Sequence, residues 1–252
     1  MPRERVYRTR AIILKRREQG EADRVITVFT PEKGKRALLA KGVRKSASRK
    51  AGHLEPFTQV SLLLAKGRTW DIIIQAETVY AFRGLREDLD RAAYAYYFAE
   101  LVDAFTREED AHPEIYDLLL SGFHRLEESA NMALTARWFE LAMLKLSGYQ
   151  PQFFHCVECA VELQPQTNYF SAEMGGMLCP RHGEGRRGVQ PVDVNVQKVL
   201  RYIQTRPYAQ VMQLKLSQGR LNQVERLLGA YIRFILERRL KSPVFIHRLS
   251  RL

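Results

Sequence analysis

Two hydrophobic periods run along this chain, and they change over near Phe82. From Tyr7 to Phe82 apolar and polar residues alternate in short runs, "VYRTRAIILK", "ADRVITVFT", "KRALLAKGV", "FTQVSLLLAKG" and "WDIIIQAETVYAF", each bounded by turn residues. The stretch "PEKGK" at 31–35 sets Pro early and Gly late between two runs, as a short hairpin connection does. Five strands spaced this closely leave no room for crossover helices between most of them. The expected arrangement is an antiparallel sheet or small closed barrel, and closure would also remove exposed edges.

After Phe82 the period becomes helical. Tyr94, Tyr97, Phe98, Leu101, Val102 and Phe105 fall on one helical face, a spacing that reads as core. "HPEIYDLLLSGFHRLEES" begins a second helix with Pro113 near its start, and "MALTARWFELAMLKLSGY" ends a third at Gly148. "VNVQKVLRYIQTR" and "RLNQVERLLGAYIRFILERRL" continue the pattern, with Leu221, Val224, Leu228, Tyr231 and Ile235 as the buried stripe of the last. Arg238, Arg239 and Lys241 suit the negative end of its dipole. The predicted fold class is α+β: residues 1–82 form the barrel, and residues 83–252 a helical domain with an insert at about 150–188. No repeat or low-complexity tract interrupts this plan.

The longest break among the strands is "RKSASRKAGH" at 44–53, too polar and too cationic to pack, so a mobile loop is expected between the third and fourth strands. In the five-stranded oligonucleotide-binding barrel, the OB-fold, such connections carry nucleic-acid contacts. Charge strengthens that reading. Of the net +12, residues 1–80 hold +10 (eighteen Lys and Arg against eight Asp and Glu), and the remainder only +2. Solubility needs no such segregation; a polyanion partner does. The candidate nucleic-acid-binding residues are Arg16, Arg17, Lys33, Lys35, Arg36, Lys41, Arg44, Lys45, Arg49 and Lys50. With about six phosphate contacts, affinity for a single strand would fall with salt at a log-log slope of roughly −4. Phe29, Phe57, Trp70 and Tyr80 could stack on bases, although each taken singly reads first as core.

The three cysteines lie at Cys156-x2-Cys159-x19-Cys179, and His182 stands three places after the last, with two residues between them. That spacing suits paired zinc knuckles, each short turn offering two ligands from one side of a tetrahedron. His155, adjacent to Cys156, would need strained geometry to serve as the fourth ligand. Gly183 permits the knuckle's tight turn, and Gly175-Gly176 turn a small hairpin that brings the two halves together. Four protein ligands would close the coordination sphere and make the ion, Zn2+, structural. Three unmetallated thiols, or a catalytic thiol or metal, are the alternatives. Gly34-Lys35-Arg36 is no P-loop, since Phe29 and Arg36 stand where Gly and Ser or Thr are needed. The acidic clusters "REED" at 107–110 and "LEES" at 126–129 read as solvated helical faces. The chain reads as a binding protein without catalytic residues. Clustered thiols, the charged start "MPRERVYRTR" and the absence of any run near the roughly 20 apolar residues of a membrane span point to a reducing, cytoplasmic setting.

The stretch "YRTRAIILKRREQGEADRVITVFTPEKGKRALLAKGVRKSASR", the order of barrel, helices and cysteine module, and "LRYI" with the terminal basic helix resemble the bacterial RecO family along nearly the whole chain. The resemblance implies a non-enzymatic, nucleoid-associated mediator of DNA repair and recombination. It would bind single- and double-stranded DNA, anneal complementary strands and, with RecR, help load RecA onto DNA coated by single-stranded-DNA-binding protein. The family pattern often has four cysteines; here the fourth place is His182. An RNA-binding accessory barrel and a metal-dependent enzyme acting on nucleic acid are the rival readings.

Overall fold

The structure, a computed structural model, describes residues 5–249. Residues 1–4, part of the charged start from which no export signal is expected, lie outside that range. Five strands form at β1 (Val6–Gln19), β2 (Asp23–Thr30), β3 (Gly34–Ala40), β4 (Gln59–Ala65) and β5 (Asp71–Tyr80). They hydrogen-bond in the closed order β1-β2-β3-β5-β4. The long β1 makes this possible: its first half pairs with β4 (Val6↔Ala65 to Ile12↔Gln59), its second half with β2 (Gln19↔Asp23). A register shift between Ile13 and Lys15 bends the strand at the change of partner. All pairings are antiparallel except the seam, where β3 meets β5 in parallel through Leu38↔Asp71 and Leu39↔Ile72. A five-stranded ring closed this way has the architecture of the expected OB-fold.

The alternation explains the packing. Ala11, Ile13, Ile26, Val28, Leu38, Ala40, Val60, Leu62, Leu64 and Ile73 point inward and are buried, with Val43 and Leu54 from the following loop plugging the interior. Each such Leu or Ile contributes on the order of 1.5–3 kcal/mol. Ile12, Leu14 and Phe29, of opposite parity or at the bulge, are buried as well.

Helices α1 (Arg83–Glu87), α2 (Leu89–Phe105), α3 (Pro113–Glu128) and, from the chain's end, α9 (Ser242–Leu249) complete the first of two compact units. α2 packs against α1, α3, α9 and β1, so burial extends beyond the predicted stripe to Ala93, Ala95 and Ala99. The other unit, Ala130–Leu240, holds α4 (Met132–Leu146), a sheet ordered β7-β6-β8 (Gly176–Leu178, Asn168–Ser171, Val189–Val192), the short α5 (Pro180–Gly183), α6 (Val194–Thr205), α7 (Tyr208–Val211) and α8 (Gln218–Leu236). α8 buries Leu221, Val224, Leu227, Leu228, Tyr231 and Ile232, while the predicted Ile235 is only half-buried. No helix among the described residues is long and apolar enough to cross a membrane.

One expectation fails here. "REED" is not helical: residues 107–110 lie between α2 and α3 and run across the start of β3. Glu109 N–H donates to Lys35 O at 3.0 Å, and a Cβ on Gly34, which has φ +58, would stand 1.8 Å from Asp110 O. Only glycine lets this acidic strap lie down.

Candidate nucleic-acid interface and metal centre

At one end of the ring β1 and β2 turn, β3 ends, and β4 passes to β5. The connections are stitched together there. Arg44 N–H donates to Ala22 O at 3.0 Å, Gly42 N–H donates to Asp23 Oδ1 at 2.7 Å, Arg44 pairs with Glu18 at 3.2 Å, and the Arg17 guanidinium lies 5.4 Å from the Trp70 ring centre. The β3–β4 loop, expected to be mobile, is tied down at its far side too. Its Ala51–His53 segment forms a turn of 3-10 helix, Lys50 Nζ donates to Ile73 O at 2.9 Å, and Thr78 N–H donates to His53 Nδ1 at 3.2 Å. Polar side chains and backbone carbonyls, rather than apolar burial alone, hold it in place.

The ten predicted cations therefore divide. Arg17, Lys41, Arg44, Lys45 and Arg49 are exposed and gather at this end, and Lys41, Lys45 and Arg49 form no ion pair among the described residues. Arg16 pairs with Glu55. Lys33 sits over the Tyr7 ring, 3.8 Å from its centre. Lys35 Nζ donates to Asp103 O at 2.6 Å and Thr106 O at 2.7 Å and pairs with Asp103, so it caps the carbonyl end of α2. Arg36 bonds Asp71 at 3.0 Å. The same Asp71 accepts from the Tyr7 hydroxyl and the Gly67 N–H. Burial alone would raise the Asp71 carboxyl; those hydrogen bonds and the Arg36 charge outweigh it and hold the carboxyl below its usual range. Burial, then the bond to Asp71, pushes the Tyr7 phenol up to about 12.

Exposed Lys66 and Arg68, in the β4–β5 connection, add two cations that the sequence reading passed over. Their signal was the turn "KGRTW", with Gly67 between two positive charges and next to Trp70. Of the four aromatics considered for stacking, Phe29 and Phe57 are buried core, Tyr80 bonds Glu127, and Trp70 alone stands among the cations.

In the other unit, Cys156, Cys159, Cys179 and His182 bring their donor atoms within 4.8 Å of one another. Ala160, at φ +57, folds the first knuckle back so that its N–H donates to Cys156 O. In the second, His182 and Gly183 N–H groups both donate to Cys179 O. Burial would raise the Cys156 thiol, but the N–H groups of Cys159, Cys179 and Glu158, with His182, bring it down to about 6. A metal about 2.3 Å from each sulfur and about 2.0–2.1 Å from nitrogen sets tetrahedral edges of about 3.8 Å between sulfurs and about 3.6 Å between sulfur and nitrogen. Cys159 Sγ and Cys179 Sγ are 4.0 Å apart, and His182 Nδ1 is 3.6 and 3.3 Å from the sulfurs of Cys156 and Cys179. The donor set could hold a metal ion, with His182 offering the fourth donor atom. His155 is instead paired through its backbone with Glu162.

Gly175 serves as expected, and Gly176 and Gly183 do not. Gly175, at φ +68, makes the hairpin turn, and Gly176 lets the strand pass close to Val157 and the Gln152 carbonyl. Gly183 is demanded by packing, since a Cβ there would meet Tyr169 at 2.4 Å.

Comparison with known proteins covers both units. Residues 3–82 match the family model described as recombination protein O, N terminal, and residues 86–243 the one described as recombination protein O, C terminal. Proteins named DNA repair protein RecO are similar over nearly the full length. One from a strain of Dehalococcoides mccartyi is 38% identical over 97% of this chain and 96% of its own, and one from a Roseiflexus species 42% identical over 97% and 86%. The one from Desulforamulus reducens is 34% identical over 97% and 95%. The closed ring, the helices that follow it, the cysteine–histidine centre and these matches lead to one conclusion: the chain belongs to the RecO family.

Proposed function

We propose that this protein is a non-enzymatic mediator of DNA repair that binds single- and double-stranded DNA at the loop end of its ring and anneals complementary strands. The observation that carries the reading is the gathering there of Arg17, Lys41, Arg44, Lys45 and Arg49, most of them without an acidic partner among the described residues. Paired cations are already neutralised by the protein; unpaired ones gain most from phosphate, and each contact releases counterions. Arg16, Lys33, Lys35, Arg36 and Lys50 complete the predicted group. For Lys35, Arg36 and Lys50 the proposal is that they hold the scaffold on which the others are displayed. A surface that meets backbones rather than base edges binds without reading sequence and leaves the bases free to pair. By lowering repulsion between two phosphate chains it speeds their encounter.

With RecR as partner, the protein would act on DNA coated by single-stranded-DNA-binding protein and help load RecA, working in the cytoplasm at the nucleoid. The ion at Cys156, Cys159, Cys179 and His182 is proposed to be Zn2+. When bound, it supplies a closed tetrahedral tie with no position for activated water. The chain's own part is to bring four donors from two knuckles to one point.

The test is annealing of two complementary oligonucleotides, each coated with single-stranded-DNA-binding protein, at two salt concentrations. The expected result is acceleration that weakens with salt, without ATP and without cleavage. No acceleration by protein that still binds bare DNA would remove annealing from the proposal.

A further inference from the structure

The unit Ala130–Leu240 carries a groove of about 920 Å³ to which nothing above assigns a role. One wall is the hairpin turn between β6 and β7, Ala172–Gly175; the other is the last turn of α8 and the residues that follow it. Its floor is Tyr231, which is 4% exposed, lies edge-on to Phe170 at 5.4 Å, and donates its hydroxyl to Tyr149 O at 3.1 Å. A side chain at Gly175 would come within 3.1 Å of that hydroxyl, so the turn is seated on the floor. The groove is built before anything enters it.

Its rim joins two kinds of group. Tyr149 and Phe234 are 48% and 51% exposed, a large apolar surface to leave in water. Around them stand Arg233, Arg238 and Arg239, all exposed and none paired with a carboxylate among the described residues. Glu237 ends α8 in the left-handed region (φ +52), and the turn sets Arg238 and Arg239 on the same groove as Arg233. Glu173 and Glu237 also line the rim, so three guanidinium groups face two carboxylates. Flat π faces flanked by guanidinium forks match a base beside its phosphates.

We infer that this groove is a second binding site for single-stranded nucleic acid, with a base stacked on Phe234 or Tyr149 and backbone phosphates held by Arg233, Arg238 and Arg239. The inference rests on the DNA-binding reading above and deepens it. An annealing protein must manage two strands, and a site in each compact unit gives one chain a place for both.

The experiment irradiates the full-length protein with an oligothymidylate carrying 5-iodouracil and maps crosslinks by mass spectrometry. Crosslinks at Phe234 or Tyr149, alongside those in the ring, are expected. The variant K41E/R44E/K45E/R49E, which disables the ring, should retain salt-dependent binding. Adding R233E/R238E/R239E to it should lower the log-log salt slope by about two, three phosphate contacts being lost. Adding F234A instead should weaken residual binding about tenfold, as the loss of one stacked base does. Crosslinks confined to the ring in wild-type protein, or no residual binding in the ring variant shown to be folded, would overturn the inference while leaving the ring reading intact. So would protection of Arg233 and Phe234 by an aspartate-rich peptide bearing phenylalanine but not by the oligothymidylate, which would assign the groove to a protein tail. Failure of wild-type protein to bind any oligonucleotide would instead sink the DNA-binding reading itself.

Discussion

Lys35 and Lys45 look alike in the sequence and have different roles in the molecule. Lys35 is held by two carbonyls at the end of α2 and by Asp103, whereas Lys45 reaches into solvent. Replacing Lys35 by Ala strands those carbonyls, so K35A should lower stability by about 1–3 kcal/mol while leaving the salt dependence of DNA binding unchanged. The loop variant K41E/R44E/K45E/R49E should do the reverse, reducing the log-log slope by about three with little change in melting temperature. Titrations of a labelled single strand across salt, beside thermal melts, separate the two; a shallower slope for K35A would contradict its assignment. Asp71 and Tyr7 add a dependence on pH. The carboxyl of Asp71 is depressed by folding, so its contribution is present above the ordinary value of 3.8 and is lost as pH falls through the lower folded value. The phenol of Tyr7 is raised, so its contribution is complete below pH 10.0 and is lost as pH climbs toward about 12. Denaturant midpoints measured against pH should show the alkaline loss flattened in Y7F and the acid loss flattened in D71N. The positive charge of these residues was legible at once. Which of them is neutralised was not, because the partners lie as far as 71 residues away.

Among the elements, the metal module shows what spacing can and cannot convey. Four candidate donors and a hairpin at Gly175-Gly176 follow from local order, because each knuckle and each turn is closed by residues a few positions apart. The third strand, Val189–Val192, was missed: it joins β6 through Ser171↔Val189 and Asn168↔Val192, a pairing with no local turn to announce it. If the centre holds this module together, H182A should reduce bound zinc and expose the amides of β6–β8 to hydrogen exchange, and H182C should restore both. Cobalt substituted for zinc should give the absorption of a tetrahedral site in wild-type protein and H182C alone. Full zinc occupancy and unchanged exchange in H182A would refute the ligand assignment. α9 gives a second case. The N–H groups of Lys241, just before it, and of Ser242, its first residue, donate to the Glu100 carboxylate of α2 at 2.8 Å each. That is a helix cap supplied from another element, so E100A should free α9 at a cost of about 0.5–2 kcal/mol, seen as faster exchange over residues 242–249. Protection of α9 equal to wild type would rule it out.

At the scale of the whole molecule, segregated charge is the property that bears on function. The +10 of the first 80 residues is largely displayed by one ring, and strand annealing should therefore slow with salt in parallel with DNA binding. Annealing that persists as binding weakens would point to some other route. Buried charge tells the opposite story. Arg137 and Glu140, 4% and 1% exposed, pair within α4, and Arg137 reaches Glu225 of α8 at 3.1 Å. Nothing in the pattern of that helix marked them as interior, because a charge is buried only where the fold brings its counter-charge to it.

The line between what reading the chain established and what the folded structure added follows from distance along the backbone. Strands, helices, the change of period at Phe82, the two knuckles and the basic end of the charge distribution are written in residues a few positions apart, and each survives any arrangement of the rest. The parallel β3–β5 seam, the return of α9 to the first unit, the acidic strap over Gly34, the capping role of Lys35 and the groove beside Tyr231 all depend on segments remote in sequence. Their energies come from specific pairs that meet only after the chain has closed on itself, so no local pattern could have carried them.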